Sequence, residues 1–154
     1  KIEDLFSGRG IDKAIHTNGN ADGIEKTLEE IKKDTKGLVF TNLVDTDMLY
    51  GHRNNIEGYA RALEYFDSKL PEIMSKMKEN DMLIITGDHG NDPSTPSTDH
   101  SREYTPILVY GKNIKENVNL GIRSTFADIS ATILDMLDLP KLENGISFRK
   151  EIEK

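Results

Sequence analysis

The 154-residue sequence contains no cysteine and no tryptophan. Without cysteine, neither a disulfide framework nor a thiolate metal site can form, and a reducing compartment is compatible with the chain. Long apolar runs are missing too. Nothing approaches the roughly 20 residues of a membrane-spanning helix, and no signal-peptide pattern opens the chain, so the expected location is the cytoplasm. Positive charge is scarce: 20 Lys and Arg stand against 27 Asp and Glu, a formal net charge of −7. That balance argues against a broad basic surface for nucleic acid or for an anionic membrane. A small anionic substrate is still admissible, because a bound cation reverses the local field. Histidine is rare as well, with four in the whole chain.

What is present suits a soluble globular protein of single-domain size, with 36% hydrophobic and 31% charged residues. The opening KIEDLFSGRG lacks an initiator Met and starts inside what reads as a structured segment, so a piece of a longer protein is expected. Ile24, Leu28 and Ile31 fall at helical spacing and predict a helix over 21–33, with Asp22 near its start and Lys32 and Lys33 at its end. LVFTNLV (38–44) reads as a buried strand. Ile56, Tyr59, Leu63, Phe66, Leu70, Ile73 and Met77 keep a 3.6-residue rhythm, a long helix that Pro71 would kink or divide. DMLIITG and TPILVYG predict a second and a third strand. STFADISATILDMLDL predicts an amphipathic helix, with Thr125 and Asp128 spaced as a capping box. Strands alternating with helices indicate an α/β sheet covered by helices on its faces.

The scarce histidines are not scattered. TGDHGNDPSTPSTDHSREYTP carries Asp88-His89 and Asp99-His100, and DTDMLYGHR carries His52 a few residues after Asp45 and Asp47. Both acidic clusters follow directly on predicted strands, and ligands in open α/β sheets collect outside the carboxyl ends of strands. Two adjacent parallel strands would deliver both clusters to one crevice, and the polar loop 91–104 could fold His100 over it. Taken singly, Asp88-His89 reads as a turn or N-cap, His52 as a surface imidazole and Asp99-His100 as an Asx-turn. Their joint placement is what points to a metal site. Carboxylate oxygen with imidazole nitrogen suits Mn²⁺, Zn²⁺ or Fe²⁺ better than Ca²⁺. Several such ligands from separate loops could hold two ions, the arrangement used for in-line phosphoryl displacement. The glycines of GDHG let the backbone turn sharply there. His16 reads as a surface residue, EEIKKD as a solvated helix face, and Met74 and Met77 as core.

GDHGNDPSTPSTDHSREYTP together with NLVDTDMLYGHRNNIEGYA resembles the phosphopentomutases, a family of the alkaline phosphatase superfamily. The likeness runs from Lys1 to the GISF segment, and PSTDHSREY is its most specific part. The resemblance implies an α/β, alkaline-phosphatase-like sheet with helices on both faces, here the C-terminal portion of the metal-binding core domain (1–154). It implies an isomerase that moves phosphate between C1 and C5 of ribose or 2-deoxyribose. The family's route passes through a phosphothreonine enzyme and a bisphosphate, with two Mn²⁺ ions, Zn²⁺ or another divalent ion being admissible. Carried onto this chain, Asp47, His52 and His100 bind one ion, and Asp88 and His89 contribute to the second. Asp47 is preferred to Asp45 because it stands five residues before the His of YGHR, as in the family. Lys1 and Arg102 are implied substrate contacts.

The family's N-terminal segment, with its phosphate-accepting Thr and another metal-binding Asp, has no counterpart in the chain, and neither has its cap domain. Thr95 and Thr98 are not that acceptor. The 154 residues alone are therefore expected to lack mutase activity, and to pair with the missing part or with themselves. Phosphoglycerate mutases and metal-dependent phosphatases of the same fold are the rival enzymes. In the phosphoglycerate mutases the first-site His follows its Asp by four residues, and neither rival carries the PSTDHSREY loop. A non-catalytic metal-binding fragment is the rival of another class.

Overall fold

A computed structural model describes all residues, 1–154. The elements in chain order are α1 (Ile2–Leu5), α2 (Gly19–Ile31), a π-helical turn (Thr46–Tyr50), a 3₁₀ turn (Gly51–Arg53), α3 (Ile56–Lys76), β1 (Leu83–Thr86), β2 (Ile107–Tyr110), α4 (Ala127–Met136) and α5 (Arg149–Ile152). None of the helices is long and apolar enough to cross a membrane. The chain forms two compact units, one of residues 1–78 and 84–108, the other of 79–83 and 109–154.

In the first unit α2 and α3 pack together, burying Ile24 and Leu28 of α2 and Ile73 and Met77 at the end of α3. Both helices follow their apolar periodicity. Asn55 caps α3, its Oδ1 accepting from the Gly58 N–H at 2.9 Å. Pro71 does not divide the helix, which runs from Ile56 to Lys76 as one element. The carbonyl it leaves without a donor belongs to exposed Asp67, where water can satisfy it.

The expected strand at 38–44 does not form. The segment lies along α2: the Thr27 and Thr41 hydroxyls share a 2.7 Å hydrogen bond, and Leu43 packs against Gly23. β-branched and aromatic composition favours a strand only where another strand completes the ladder. The sheet holds β1 and β2 alone, and Leu38, Val39 and Phe40 are left 60%, 43% and 59% exposed. The other two expected strands are present. Gly87 lies against Thr105 and Gly111 against Asp81, a pairing that makes β1 and β2 antiparallel. The delivery of two acidic clusters by adjacent parallel strands is thus replaced by a different scaffold.

The second unit is organised by α4 and α5 around Ile114, Phe148 and Ile152, none more than 5% exposed. Thr125 and Asp128 do not form the expected capping box. Thr125 Oγ1 accepts from the Ala127 N–H at 3.2 Å. The Asp128 carboxylate accepts instead from Arg123 Nε and from the Ile146 N–H, both at 2.8 Å. Asp128 is 3% exposed, and a buried carboxylate is better satisfied by a guanidinium and a backbone donor together than by a lone helix-end N–H. Thr132, fully buried, donates to the Asp128 carbonyl and accepts from the Phe148 N–H, which fixes the segment leading into α5.

Candidate metal centre

Asp47 lies in the π-helical turn Thr46–Tyr50, which runs directly into the 3₁₀ turn carrying His52. Two tight turns in succession place the carboxylate and the imidazole on one side of the chain; π-helical turns of this kind are frequent at functional sites. The two aspartates of DTD have separate tasks. Asp45 Oδ2 accepts from the Asn20 N–H at 2.8 Å while the Asp45 N–H donates to Asn20 Oδ1 at 3.0 Å. Its negative charge thereby satisfies a free N–H in the first turn of α2. Asp47 is left for the histidines.

The loop between β1 and β2 supplies the rest. An antiparallel bridge between Gly90 and Ser101 closes it on itself. A Cβ at Gly90 would meet the backbone of Ser101 and Glu103 at 2.5–2.7 Å, so only glycine permits the approach. The closure brings His89 and His100 into a stack, ring centroids 3.6 Å apart and planes 21° from parallel. The His100 ring also lies 4.8 Å from that of His52.

Asp47 Oδ1 is the point of convergence. His52 Nε2 and His100 Nε2 each lie 3.3 Å from it, His89 Nε2 lies at 3.8 Å, and Asn91 Nδ2 donates to it at 3.2 Å. Asp47, His89 and His100 form a set whose ligand atoms all lie within 4.8 Å of one another. Asp88 Oδ1 stands 3.5 Å from His89 Nε2, and Asp88 Oδ2 meets Lys1 Nζ at 3.3 Å. All five proposed ligands therefore gather in the first unit, with Lys1 at their margin. Arg102 is exposed and takes part in none of these contacts. His16 is on the surface, near Glu3.

Proton positions favour a cation in this cluster. His52 Nδ1 lies 2.6 Å from the Thr98 carbonyl, which can only accept, so Nδ1 carries the proton. His89 Nδ1 faces the Gly90 carbonyl in the same way at 3.2 Å. In the neutral rings each Nε2 is then a bare lone pair turned toward a carboxylate oxygen. Acceptor facing acceptor is unfavourable unless positive charge lies between them. Protonating the rings would supply it, but at the cost of stacking two like charges in the His89–His100 pair. A divalent ion satisfies every lone pair at once, and a ligating imidazole whose other nitrogen donates to a carbonyl is the usual support for one. The donor set of oxygen and nitrogen suits Mn²⁺, Zn²⁺ or Fe²⁺.

Burial alone would raise the Asp88 carboxyl, but the hydrogen bond and the positive charge of Lys1 hold it below its ordinary value. Burial, and then the negative charges of Asp47 and Asp92, push the Tyr59 phenol upward. Sequence reasoning placed Tyr59 only in the apolar rhythm of the long helix. It gave no role to Asn91, which donates to Asp47 and packs so closely over Gly51 that a side chain there would collide with it. Its place beside GDHG was the available signal.

Residues 3–141 match the family described as the metalloenzyme superfamily, and the chain belongs to it. Its α/β, alkaline-phosphatase-like class is the one expected. Within that class the chain is similar to phosphopentomutases. It is 60% identical over 152 residues to the phosphopentomutase of Kosmotoga olearia, covering 99% of this chain and 39% of that protein. It is 56% identical over 154 residues to that of Clostridium novyi, covering 100% and 40%. To that of Acetivibrio thermocellus it is 58% identical over 148 residues, covering 96% and 38%. The chain thus spans about 40% of the length of these curated relatives.

Proposed function

We propose that the chain is the metal-ligating part of a phosphopentomutase that interconverts ribose or 2-deoxyribose 1-phosphate and 5-phosphate. The observation that carries the reading is the convergence of three imidazoles on one carboxylate oxygen of Asp47, in a chain 60% identical to such an enzyme. Asp47, His52 and His100 hold one divalent ion, and Asp88 and His89 contribute to a second, with Mn²⁺ as the first choice. Bound there, the ions offset the negative charge of a transferring phosphoryl group and of the oxygen it leaves.

The chain's own residues orient and shield. The Thr98 carbonyl fixes the His52 tautomer so that Nε2 faces inward. Asn91 holds the Asp47 carboxylate by its Oδ1 edge. Lys1, paired with Asp88, brings a positive charge to the margin of the cluster, where it can meet a sugar phosphate, and exposed Arg102 can do the same from the loop. The phosphate-accepting threonine lies outside these residues, so the chain alone binds ions without turning over sugar phosphates. The cytoplasm, where such substrates are found, is the proposed location.

A graft tests this. The chain is exchanged for the matching region of the Kosmotoga olearia phosphopentomutase, and conversion of ribose 1-phosphate to ribose 5-phosphate is followed with Mn²⁺. The graft is expected to be active and to lose activity with Asp47→Asn. A folded graft without activity would overturn the reading.

A further inference from the structure

The seating of His100 needs an explanation. Its side chain is 47% exposed, and it rides on a polar loop stabilised largely by its own turns: Ser94 on Asp92, Thr95 on Asp92 and Asp99 on Ser97. Turns of this kind fix a loop's shape without fixing where it sits. Two side chains of the neighbouring turn tie it down. His52 donates to the Thr98 carbonyl at 2.6 Å, and Asn54 Nδ2 donates to the Thr95 carbonyl at 2.8 Å.

Asn54 ends the 3₁₀ turn in the left-handed region, φ 50° and ψ 33°. Glycine adopts that conformation at no steric cost, and asparagine is among the few other residues that tolerate it. The turn alone therefore does not require an amide. The amide also carries a cost, because its Oδ1 is buried without a partner. What asparagine adds over glycine is the Nδ2 donor aimed at the loop.

We infer that Asn54 is a positioning residue: its amide clamps the Thr95 carbonyl and so seats the loop that delivers His100 to Asp47. The inference rests on the metal reading for its consequence, though not for the clamp itself. Unlike His52, Asn54 is not a proposed ligand, so the clamp can be removed without removing a ligand.

The test compares wild type with Asn54→Gly, which keeps the left-handed turn and deletes the donor. Two quantities are read: Mn²⁺ affinity by calorimetry, and amide hydrogen exchange without added metal. Asn54→Gly is expected to weaken Mn²⁺ binding about tenfold, the scale of losing a residue that orients a ligand. Exchange is expected to quicken over residues 95–100 and to stay unchanged in α3. A merely structural role would quicken α3 as well and leave the affinity alone. Unchanged affinity with unchanged loop exchange would overturn the inference. Should wild type bind no Mn²⁺, the metal reading fails by itself, and loop exchange still decides the clamp. Should Asn54→Gly be unstable, Asn54→Asp keeps the turn and sets an acceptor against the Thr95 carbonyl, with a larger loss expected in both readouts.

Discussion

Asp47 and Asp128 are both aspartates at the start of a helical segment, one in each unit, and their surroundings differ in one respect. Asp128 faces a permanent cation and a backbone donor: Arg123 and the Ile146 N–H satisfy its two oxygens, and the arrangement is complete as built. Asp47 faces three imidazoles, two of which, His52 and His89, turn Nδ1 to a backbone carbonyl and present Nε2 as a lone pair, and its one amide donor is Asn91. A carboxylate at the centre of a structural network is given its counter-charge by the chain. One at the centre of a binding site is given lone pairs and left short of positive charge. The difference is what assigns structure to one and chemistry to the other.

The comparison breaks most readily at Asp128. Its side chain is 5% exposed and that of Arg123 15%. Asp128→Ala would remove the nearer of the two carboxylates that Arg123 meets, leaving it with Glu151, and would strip the Ile146 N–H of its acceptor, so a cost of about 2 kcal/mol is expected. Denaturant unfolding checks the size of the loss, and Mn²⁺ binding should be unaffected. Loss of binding along with stability would mean that the two networks are not separable in function.

Acid gives a smaller effect of known sign. The hydrogen bond from Ile146, working against burial and joined by Arg123, holds the Asp128 carboxyl below its ordinary value. A depressed pKa contributes stability that is present above the unfolded-state value, about 3.9, and is lost as pH falls through the lower folded value. Unfolding free energy should therefore fall below about pH 4, and the fall should be shallower in Asp128→Asn. Equal slopes in the two proteins would show that this carboxylate does not govern the acid limb.

The smallest effect is expected at Lys1, whose ion pair with Asp88 is exposed on both sides. Lys1→Ala should change stability by under about 1 kcal/mol. If Lys1 meets substrate as proposed, the same change should raise KM for the sugar phosphate in the graft more than it lowers kcat. A loss confined to stability would leave Lys1 as a surface partner of Asp88.

Local pattern carried α2, α3, α4 and both observed strands, because apolar periodicity in 56–76 and the short apolar runs of DMLIIT and PILVY are local facts, whereas the four-residue helices α1 and α5 are too short to show a period. The stretch 38–44 reads as a strand on the same grounds, but a strand needs a neighbour and composition cannot supply one. Thr125 and Asp128 have the spacing of a capping box, yet Asp128 turns to Arg123 and Ile146, and contact with a residue 18 positions away leaves no local trace. The candidate site was legible in residue type, since histidines beside carboxylates are rare in so histidine-poor a chain. The choice of Asp47 over Asp45 came from resemblance; the physical reason, that Asp45 caps α2, is tertiary. Asn54 and Asn91 escaped because an asparagine in a turn is ordinary until the carbonyl or carboxylate it reaches is known.

The central claim is that the Asp47 cluster is built for a divalent cation. Calorimetric titration of Mn²⁺ into the wild-type chain and into Asp47→Asn, with circular dichroism to establish that both are folded, tests it most directly. Saturable binding in wild type, abolished or weakened at least a hundredfold in the variant, is the predicted result, on the scale of losing a ligand shared by the whole cluster. A folded wild-type chain that gives only heats of dilution, or a variant that binds as well as wild type, would contradict it.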